Sequence, residues 1–410
     1  MTRQHLRILF FTREDYPTHR VDVDVLFGTE IIGRGHTVDL VMQAATAETP
    51  GGRHDWHGCT VFVGPTTHLR SLPGRLWKNC LGFLHDLRCL CRASTAQYDA
   101  IQVRDKFIIA MVALLVARLR GLKFFYWLSF PFPEDDMLRA RSGNSRSALF
   151  VHLRGRLSGW LLYRWILVRC DHAFVQSERM KSELCAHGVA PDRLTPVPMG
   201  VDIRDIVDSS PQPPAWSQGA IVELAYLGTL DANRRLGILV EMLAELKRAG
   251  IRAKLLLIGD SSEPHDRRAL ELQAQQLDVS DRMEITGFLP RQQALQRMRG
   301  AQICLSPIDP SPVFRVGSPT KMIEYMGSGI PVVANDHPEQ QLILRQCRAG
   351  VCVPWRARHF ARAVRWLVQQ SPERRREMAE KGRVWVLENR TYERIADKVE
   401  AKYLELAGME

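Results

Sequence analysis

Short apolar runs alternate with segments of helical period through most of this chain, and the alternation breaks once and then restarts. In the first half, Arg7-Ile-Leu-Phe-Phe-Thr12 has the continuous hydrophobicity of a strand buried on both faces. A helix-period segment over 23–32 follows and stops at Gly33-Arg-Gly35, a C-cap signal. Strands at 36–41, 98–103, 123–128 and 171–176 come next, with helices over 107–119 and 178–187. The stretch Pro211-Gln-Pro-Pro-Ala-Trp-Ser-Gln-Gly219 reads as a linker. Beyond it, strands at 221–227, 253–258, 283–286, 303–305 and 330–334 interleave with helices over 235–248, 265–277, 291–299 and 319–327. The tail from about 357 is helical. Strands that alternate with helices form parallel, doubly wound sheets. The pattern therefore predicts an α/β fold of two Rossmann-like domains facing one interdomain cleft, with a ligand at the carboxyl ends of the strands. The 410 residues suffice for two cores. Expected boundaries are 1–205, 206–385 and a last helix over 386–410 packed back on the first domain.

Composition narrows the setting. Hydrophobic content of 45% and charged content of 25% exclude a disordered or fibrous chain. The longest apolar run, 107–117, meets Arg118 and is too short to span a bilayer. The charged start runs directly into Ile8-Leu-Phe-Phe11 with no signal-peptide pattern, so the expectation is a cytoplasmic protein. Nine cysteines, scattered and without a Cys-x-x-Cys pair, are expected to be reduced, buried thiols. The net charge is +11 and unevenly placed: residues 1–200 carry 26 Lys/Arg against 18 Asp/Glu. An anionic partner is expected on that half.

The nucleotide fingerprints of dehydrogenases and P-loop NTPases are missing, since no Gly-x-Gly-x-x-Gly follows a strand and no Walker A sequence occurs. Two strand-to-helix turns carry phosphate chemistry instead. One is Gly228-Thr-Leu-Asp-Ala-Asn-Arg-Arg235, and the other is Arg315-Val-Gly-Ser-Pro-Thr-Lys321. Pro319 suits the first helical position and Ser318 the cap before it. Free N–H groups there, with hydroxyls and Lys321, make an anion site. Glu324, one turn further, can accept both hydroxyls of a ribose.

Taken together, these residues resemble the retaining GT-B glycosyltransferases of the family 4 type. In the first half, Gly35-His-Thr-Val38, Asp171-His-Ala-Phe-Val-Gln-Ser177 and Pro198-Met-Gly-Val-Asp202 fall in the family's order. In the second half so do Tyr226-Leu-Gly-Thr229, Leu257-Ile-Gly-Asp260, Ile285-Thr-Gly-Phe288, Leu305-Ser-Pro307 and Pro319-x-Lys-x-x-Glu-Tyr-Met-x-x-Gly-x-Pro-Val-Val333. The resemblance implies a first, acceptor-side domain and a second domain that holds a nucleotide-sugar donor, a UDP- or GDP-sugar. Glu324 would hold the ribose. Lys321, Thr320 and the helix start at Ser318 and Pro319 would face the diphosphate. Arg235 would take the place of a phosphate-binding lysine, near Gly228 and Thr229, and Phe288 and Leu289 would meet the base. The implied reaction is metal-independent transfer of a hexose to an acceptor hydroxyl with retention, with no cofactor beyond the donor. The chain departs from the pattern at Val316, where a second acid is frequent, at Thr18-His19 before Arg20, and at Ser129, near a frequent catalytic histidine. His19, Arg20 and Ser129 are open candidates for polar roles. Asp22-Val-Asp24 sits at a helix start, where acids favour the dipole, and Glu134-Asp-Asp136 is read as a loop.

The acceptor reading comes from charge. Between 137 and 170 there are seven arginines and no acid, interleaved with Trp160, Tyr163 and Trp165. Between 56 and 85 no acid occurs either, while Arg70, Arg75, Trp77 and Lys78 alternate with apolar residues. Such segments suit an anionic membrane surface, which places the protein peripherally on the inner face of the plasma membrane. A lipid-linked oligosaccharide in surface polysaccharide synthesis is the expected acceptor. The alternatives are a soluble acceptor or a non-catalytic sugar-nucleotide-binding homologue. No nucleic-acid reader motif is present, and no nucleic-acid partner is expected.

Overall fold

The computed structural model describes residues 5–18, 20–66, 72–141, 147–207 and 220–408. His19, Arg70, Arg146 and the linker over 211–219 lie outside these residues. Two compact units result: Met1–Met199 with Tyr392–Glu410, and Gly200–Thr391. Residues 200–205 thus fall in the second unit and not the first, because Ile206 is buried in the second core and Val201 donates to the Arg390 carbonyl at 2.8 Å. Residues 386–391 join it for the same reason, with Val386 fully buried there.

The first unit holds an eight-stranded sheet. Its strands are β1 (Arg7–Tyr16), β2 (Thr37–Ala44), β3 (Gly52–Trp56), β4 (Cys59–Gly64), β5 (Ala100–Arg104), β6 (Lys123–Leu128), β7 (His172–Val175) and β8 (Leu194–Pro196). The order is β3-β4-β2-β1-β5-β6-β7-β8, and only β3 runs antiparallel. Ile8 to Phe11 are buried, as a central parallel strand requires, with Ile8 facing Val38 on one side and Ala100 on the other. The β3–β4 hairpin was not visible as a motif. Its two-residue turn, His57-Gly58, has positive φ at both positions, which is the twist such hairpins need. The last helix, Tyr392–Ala407, packs on this unit. Tyr403 packs its ring against Phe125, tilted, and Phe174, edge-on, at 5.2 and 5.1 Å and donates its hydroxyl to Gln102. Arg34 is held between Asp397 and Glu400.

The second unit holds β9 (Val222–Leu227), β10 (Ala253–Ile258), β11 (Met283–Ile285), β12 (Ile303–Ser306), β13 (Val332–Asn335) and β14 (Gly350–Val353). All pair in parallel in the order β11-β10-β9-β12-β13-β14. Numbered within the unit this is 3-2-1-4-5-6, the Rossmann order, and it reverses between β9 and β12. In the first unit the corresponding reversal lies between β1 and β5. These two reversals are where helices depart to opposite faces and leave a crevice at the strand ends.

The nine cysteines form no disulfide. Contrary to the buried reading, Cys80 and Cys91 are exposed, because both lie on the outer side of the helix Leu72–Arg92.

Candidate functional site

At the reversal of the second sheet the chain leaves β9 through Gly228, whose φ of +145° is open to glycine and strained for other residues. The loop after β10 crosses it closely. A Cβ on Gly259 would lie 2.2 Å from the Gly228 carbonyl oxygen, so both positions require glycine. Asp266, at the start of the helix Pro264–Gln276, fixes the turn by accepting from the Ala232 N–H at 3.0 Å and the Ser261 hydroxyl at 2.8 Å. Thr229 contributes its carbonyl, which accepts from the Tyr226 hydroxyl at 3.2 Å.

Lys321 rises into the space that Gly228 leaves open. A Cβ on Gly228 would stand 2.8 Å from its Nζ, which also lies 5.4 Å from the centre of the Tyr226 ring. Burial, and then the nearby Arg234 guanidinium, push the Lys321 ammonium down to about 8. Arg234 lies over the Phe314 ring at 5.4 Å, and its Nε is buried without a hydrogen-bond partner. Neither Arg234 nor Lys321 has a carboxylate within ion-pair distance among the described residues. Two neighbouring cations held apart from counter-charge are costly unless an anion completes them.

Arg235 is placed differently. Its backbone is left-handed at φ +51°, and its exposed guanidinium donates from Nη1 to Asp309 Oδ2 at 2.9 Å. The structure therefore brings Arg234, not Arg235, beside Lys321. The signal for this was present in the sequence as a pair of adjacent arginines, but spacing alone could not say which one turns inward.

The helix that carries Lys321 is Thr320–Gly327, with Pro319 at the cap position and not in the first turn as expected. The reason is backbone geometry: ψ of Pro319 is +92°, an extended value, so the helix opens one residue later. The cap residue, Pro319, brings no side-chain hydrogen bond to the first-turn N–H groups, and Ser318, expected at the cap position, stands one residue before it. Those N–H groups and the helix dipole add to the positive field around Lys321. Glu324 stands one turn further. It accepts from Arg291 Nη2 at 3.1 Å, and Arg291 also grips Asp205 at 2.7 Å. Burial raises the Glu324 carboxyl above its ordinary range, and Arg291 opposes the shift. Phe288 is 67% exposed beside Gly287, whereas Leu289 packs against the core. Val316 is buried, so the position where a second acid was looked for belongs to the packing.

In the first unit, Asp22 and Asp24 diverge. Asp22 is enclosed by Arg104 at 2.7 Å and Arg20 at 3.1 Å, while Asp24 meets His57 at 3.0 Å. Arg20 is thereby a partner of Asp22. Glu134, Asp135 and Asp136 lie in the helix Phe132–Arg141 and not in a loop, the first two in its first turn, where acids are stabilised by the dipole. Glu134 accepts from the Tyr163 hydroxyl, and Asp135 and Asp136 pair with Arg139 and Arg154. Sequence reasoning missed Asp105, which ends β5 at the reversal with a positive φ of 56°. Ser129 donates both its N–H, at 3.0 Å, and its hydroxyl to that carboxylate. Burial raises the Asp105 carboxyl, and the Arg104 guanidinium and Ser129 oppose the shift.

Two family descriptions match the chain in succession: "Glycosyltransferase Family 4" over residues 27–205 and "Glycosyl transferases group 1" over 222–370. A protein of Salmonella typhimurium named for colanic acid biosynthesis, the glycosyltransferase WcaL, is 25% identical over 193 residues. That match spans 47% of this chain and 46% of the relative, under half of either. Among solved structures, sucrose-phosphate synthase from Thermosynechococcus elongatus is similar at a TM-score of 0.72 and 18% identity, covering 99% of this chain and 100% of that one. HepE from Anabaena, in complex with UDP and glucose, is similar at a TM-score of 0.65 and 16% identity, covering 98% and 100%. At such identities the likeness shows a common fold.

Proposed function

Because this chain belongs to the GT-B glycosyltransferases, its first half matching family 4 and its second half group 1, we propose that it transfers a sugar from a nucleotide-sugar donor to an acceptor hydroxyl. The observation that carries the proposal is the pair Arg234 and Lys321, two half-buried cations with no carboxylate in ion-pair distance among the described residues, beside a helix start whose cap residue is Pro319. A diphosphate supplies the missing charge. As the sugar leaves, negative charge grows on the β-phosphate, and fixed cations and N–H groups stabilise it without reorganisation. Glu324 would accept the ribose hydroxyls once the donor displaces or shares Arg291. The exposed Phe288 would offer a face to the base. HepE is described with UDP and glucose, which favours a UDP-sugar over a GDP-sugar.

We infer retention at the anomeric carbon, a hexosyl donor and metal-independent action, in which Arg234 and Lys321 do the work of charge stabilisation. The acceptor is proposed to be a lipid-linked oligosaccharide of surface polysaccharide synthesis, in keeping with the similarity to WcaL. No helix among the described residues is long and apolar enough to cross a membrane. The proposed membrane contact is therefore peripheral, on the inner face of the plasma membrane, through the basic helices Leu72–Arg92 and Ala148–Leu161.

The test is a donor screen followed by turnover. UDP-, GDP- and ADP-sugars are compared by thermal shift, since a bound donor raises stability by mass action. The donor that binds is then incubated with membrane lipid extract, and the anomeric configuration of the product is read by NMR. Transfer with retention is expected. Donor binding with no transfer to any acceptor would support a non-catalytic binding protein instead.

A further inference from the structure

Under the loop that follows β12, four buried polar side chains gather at the ends of β12 and β13: Ser306, Asn335, His337 and Gln340. Buried polar groups are costly unless hydrogen-bonded, so the course of their bonds shows what they hold. Asn335 holds Ile308 twice, accepting from its N–H at 2.7 Å and donating to its carbonyl at 2.9 Å. Gln340 steadies Asn335: its Nε2 donates to the Asn335 carbonyl at 3.3 Å, and its Oε1 accepts from the Ser306 hydroxyl at 2.5 Å. His337 reaches the other end of the loop, where its Nε2 lies 2.9 Å from the Phe314 carbonyl oxygen. A carbonyl only accepts, so Nε2 carries the proton.

The loop is thereby fixed at Ile308 and Phe314, and within that span it meets both arginines of the turn after β9 by different chemistry. Asp309 takes Arg235 through a carboxylate, at 2.9 Å. Phe314 takes Arg234 through its ring, whose centre lies 5.4 Å from the guanidinium carbon. A carboxylate neutralises the cation it binds, whereas a ring face attracts a cation and leaves its charge in place. An arginine seated on a ring is held still and remains able to bind an anion. Holding it still matters, because each rotamer-rich side chain that must be ordered on binding weakens the grip.

We propose that Phe314 and His337 are positioning residues for the donor diphosphate. His337 fixes the backbone of Phe314, the Phe314 ring seats Arg234 with its charge uncancelled, and both act through Arg234. The proposal rests on the reading of Arg234 and Lys321 as the diphosphate site, and adds to it what sets Arg234 apart from Arg235.

The test is calorimetric titration of UDP into the full chain and its variants, with thermal unfolding followed for each. Phe314→Leu removes the ring, keeps an apolar side chain, and is expected to weaken UDP binding about fivefold. His337→Leu removes the donor to the Phe314 carbonyl and should weaken it to a similar degree. Phe314→Tyr, which keeps a ring, and His337→Gln, which keeps an N–H donor, should stay within about twofold of wild type. In an Arg234→Ala background, Phe314→Leu and His337→Leu should each cost less than about twofold, because the residue they act through is gone. Equal losses in both backgrounds would mean a general structural effect and overturn the proposal. So would wild-type affinity in Phe314→Leu alongside a loss in Arg234→Ala, which leaves the diphosphate reading standing and removes the positioning. Wild-type affinity in Arg234→Ala takes down the diphosphate reading itself, and the proposal with it. Should His337→Leu fail to fold, the Phe314 variants decide the matter alone.

Discussion

The parallel strands of the two units run in the same order about the reversal, with an antiparallel edge strand added in the first, and the units differ in what they do with the cations placed there. In the first, Arg104 is completely buried and surrounded by acids, with Asp22 at 2.7 Å, Asp105 at 3.6 Å and Glu14 at 3.9 Å. In the second, Lys321 and Arg234 stand beside each other with no acid in ion-pair distance of either among the described residues. Topology alone places a crevice in each unit. Charge decides what each crevice can receive: the first is internally neutralised, and the second lacks an anion. Their surfaces differ in the same direction. Exposed large apolar side chains gather on the helices of the first unit, while in the second they are scattered singly, as at Leu272 and Leu342.

The sharpest way to break this contrast is to remove the enclosed cation. Arg104→Ala leaves Asp22 buried beside fewer counter-charges and should cost about 3–5 kcal/mol of stability, read by thermal or denaturant unfolding. A variant as stable as wild type would mean that Arg104 is not the neutralising centre. Lys321→Ala should behave in the opposite sense. It relieves an uncompensated buried cation, so stability holds or rises, while nucleotide diphosphate binding falls by roughly 100-fold, about 2.7 kcal/mol. Calorimetric titration of UDP and GDP measures the second number.

A third prediction concerns pH. The Lys321 ammonium in the free protein titrates at about 8, below the usual lysine value of about 10.4. Its depressed value means that the folded state bears the cost of a buried charge below pH 8, and that this cost fades as pH rises. Bound diphosphate favours the charged form. Above pH 8, binding must therefore take up a proton, and affinity should fall by up to about tenfold per pH unit. Lys321→Arg, which cannot deprotonate, should flatten the profile. A wild-type affinity constant between pH 7.5 and 9.5 would place Lys321 outside the diphosphate site. A smaller effect is expected from Glu324→Gln, which keeps the shape but weakens acceptance from the ribose hydroxyls and should cost about tenfold in donor affinity.

Much of the fold was legible because strand and helix periods differ and because buried parallel strands read as unbroken apolar runs. The limits of the helix Thr320–Gly327 and of the strands β9 and β10 fall within a residue or two of the expected positions. The hairpin β3–β4 escaped because His57-Gly58 is not a common turn pair, and Glu134 was misplaced because two prolines before it suggested a loop. In the site, residue types were legible and orientations were not. Arg234 and Arg235 are neighbours in sequence, yet the left-handed backbone at Arg235 sends its side chain to Asp309 and leaves Arg234 beside Lys321. Asp105 was invisible for a related reason: a carboxylate at a strand end gains meaning only when a distant Ser129 closes on it.

The central claim is that Arg234 and Lys321 hold the donor diphosphate while Arg235 belongs to the scaffold. Titration of UDP into wild type, Arg234→Ala and Arg235→Ala tests it most directly. The account predicts a loss of about tenfold or more for Arg234→Ala and less than about threefold for Arg235→Ala. The reverse ranking, or equal losses, would contradict it.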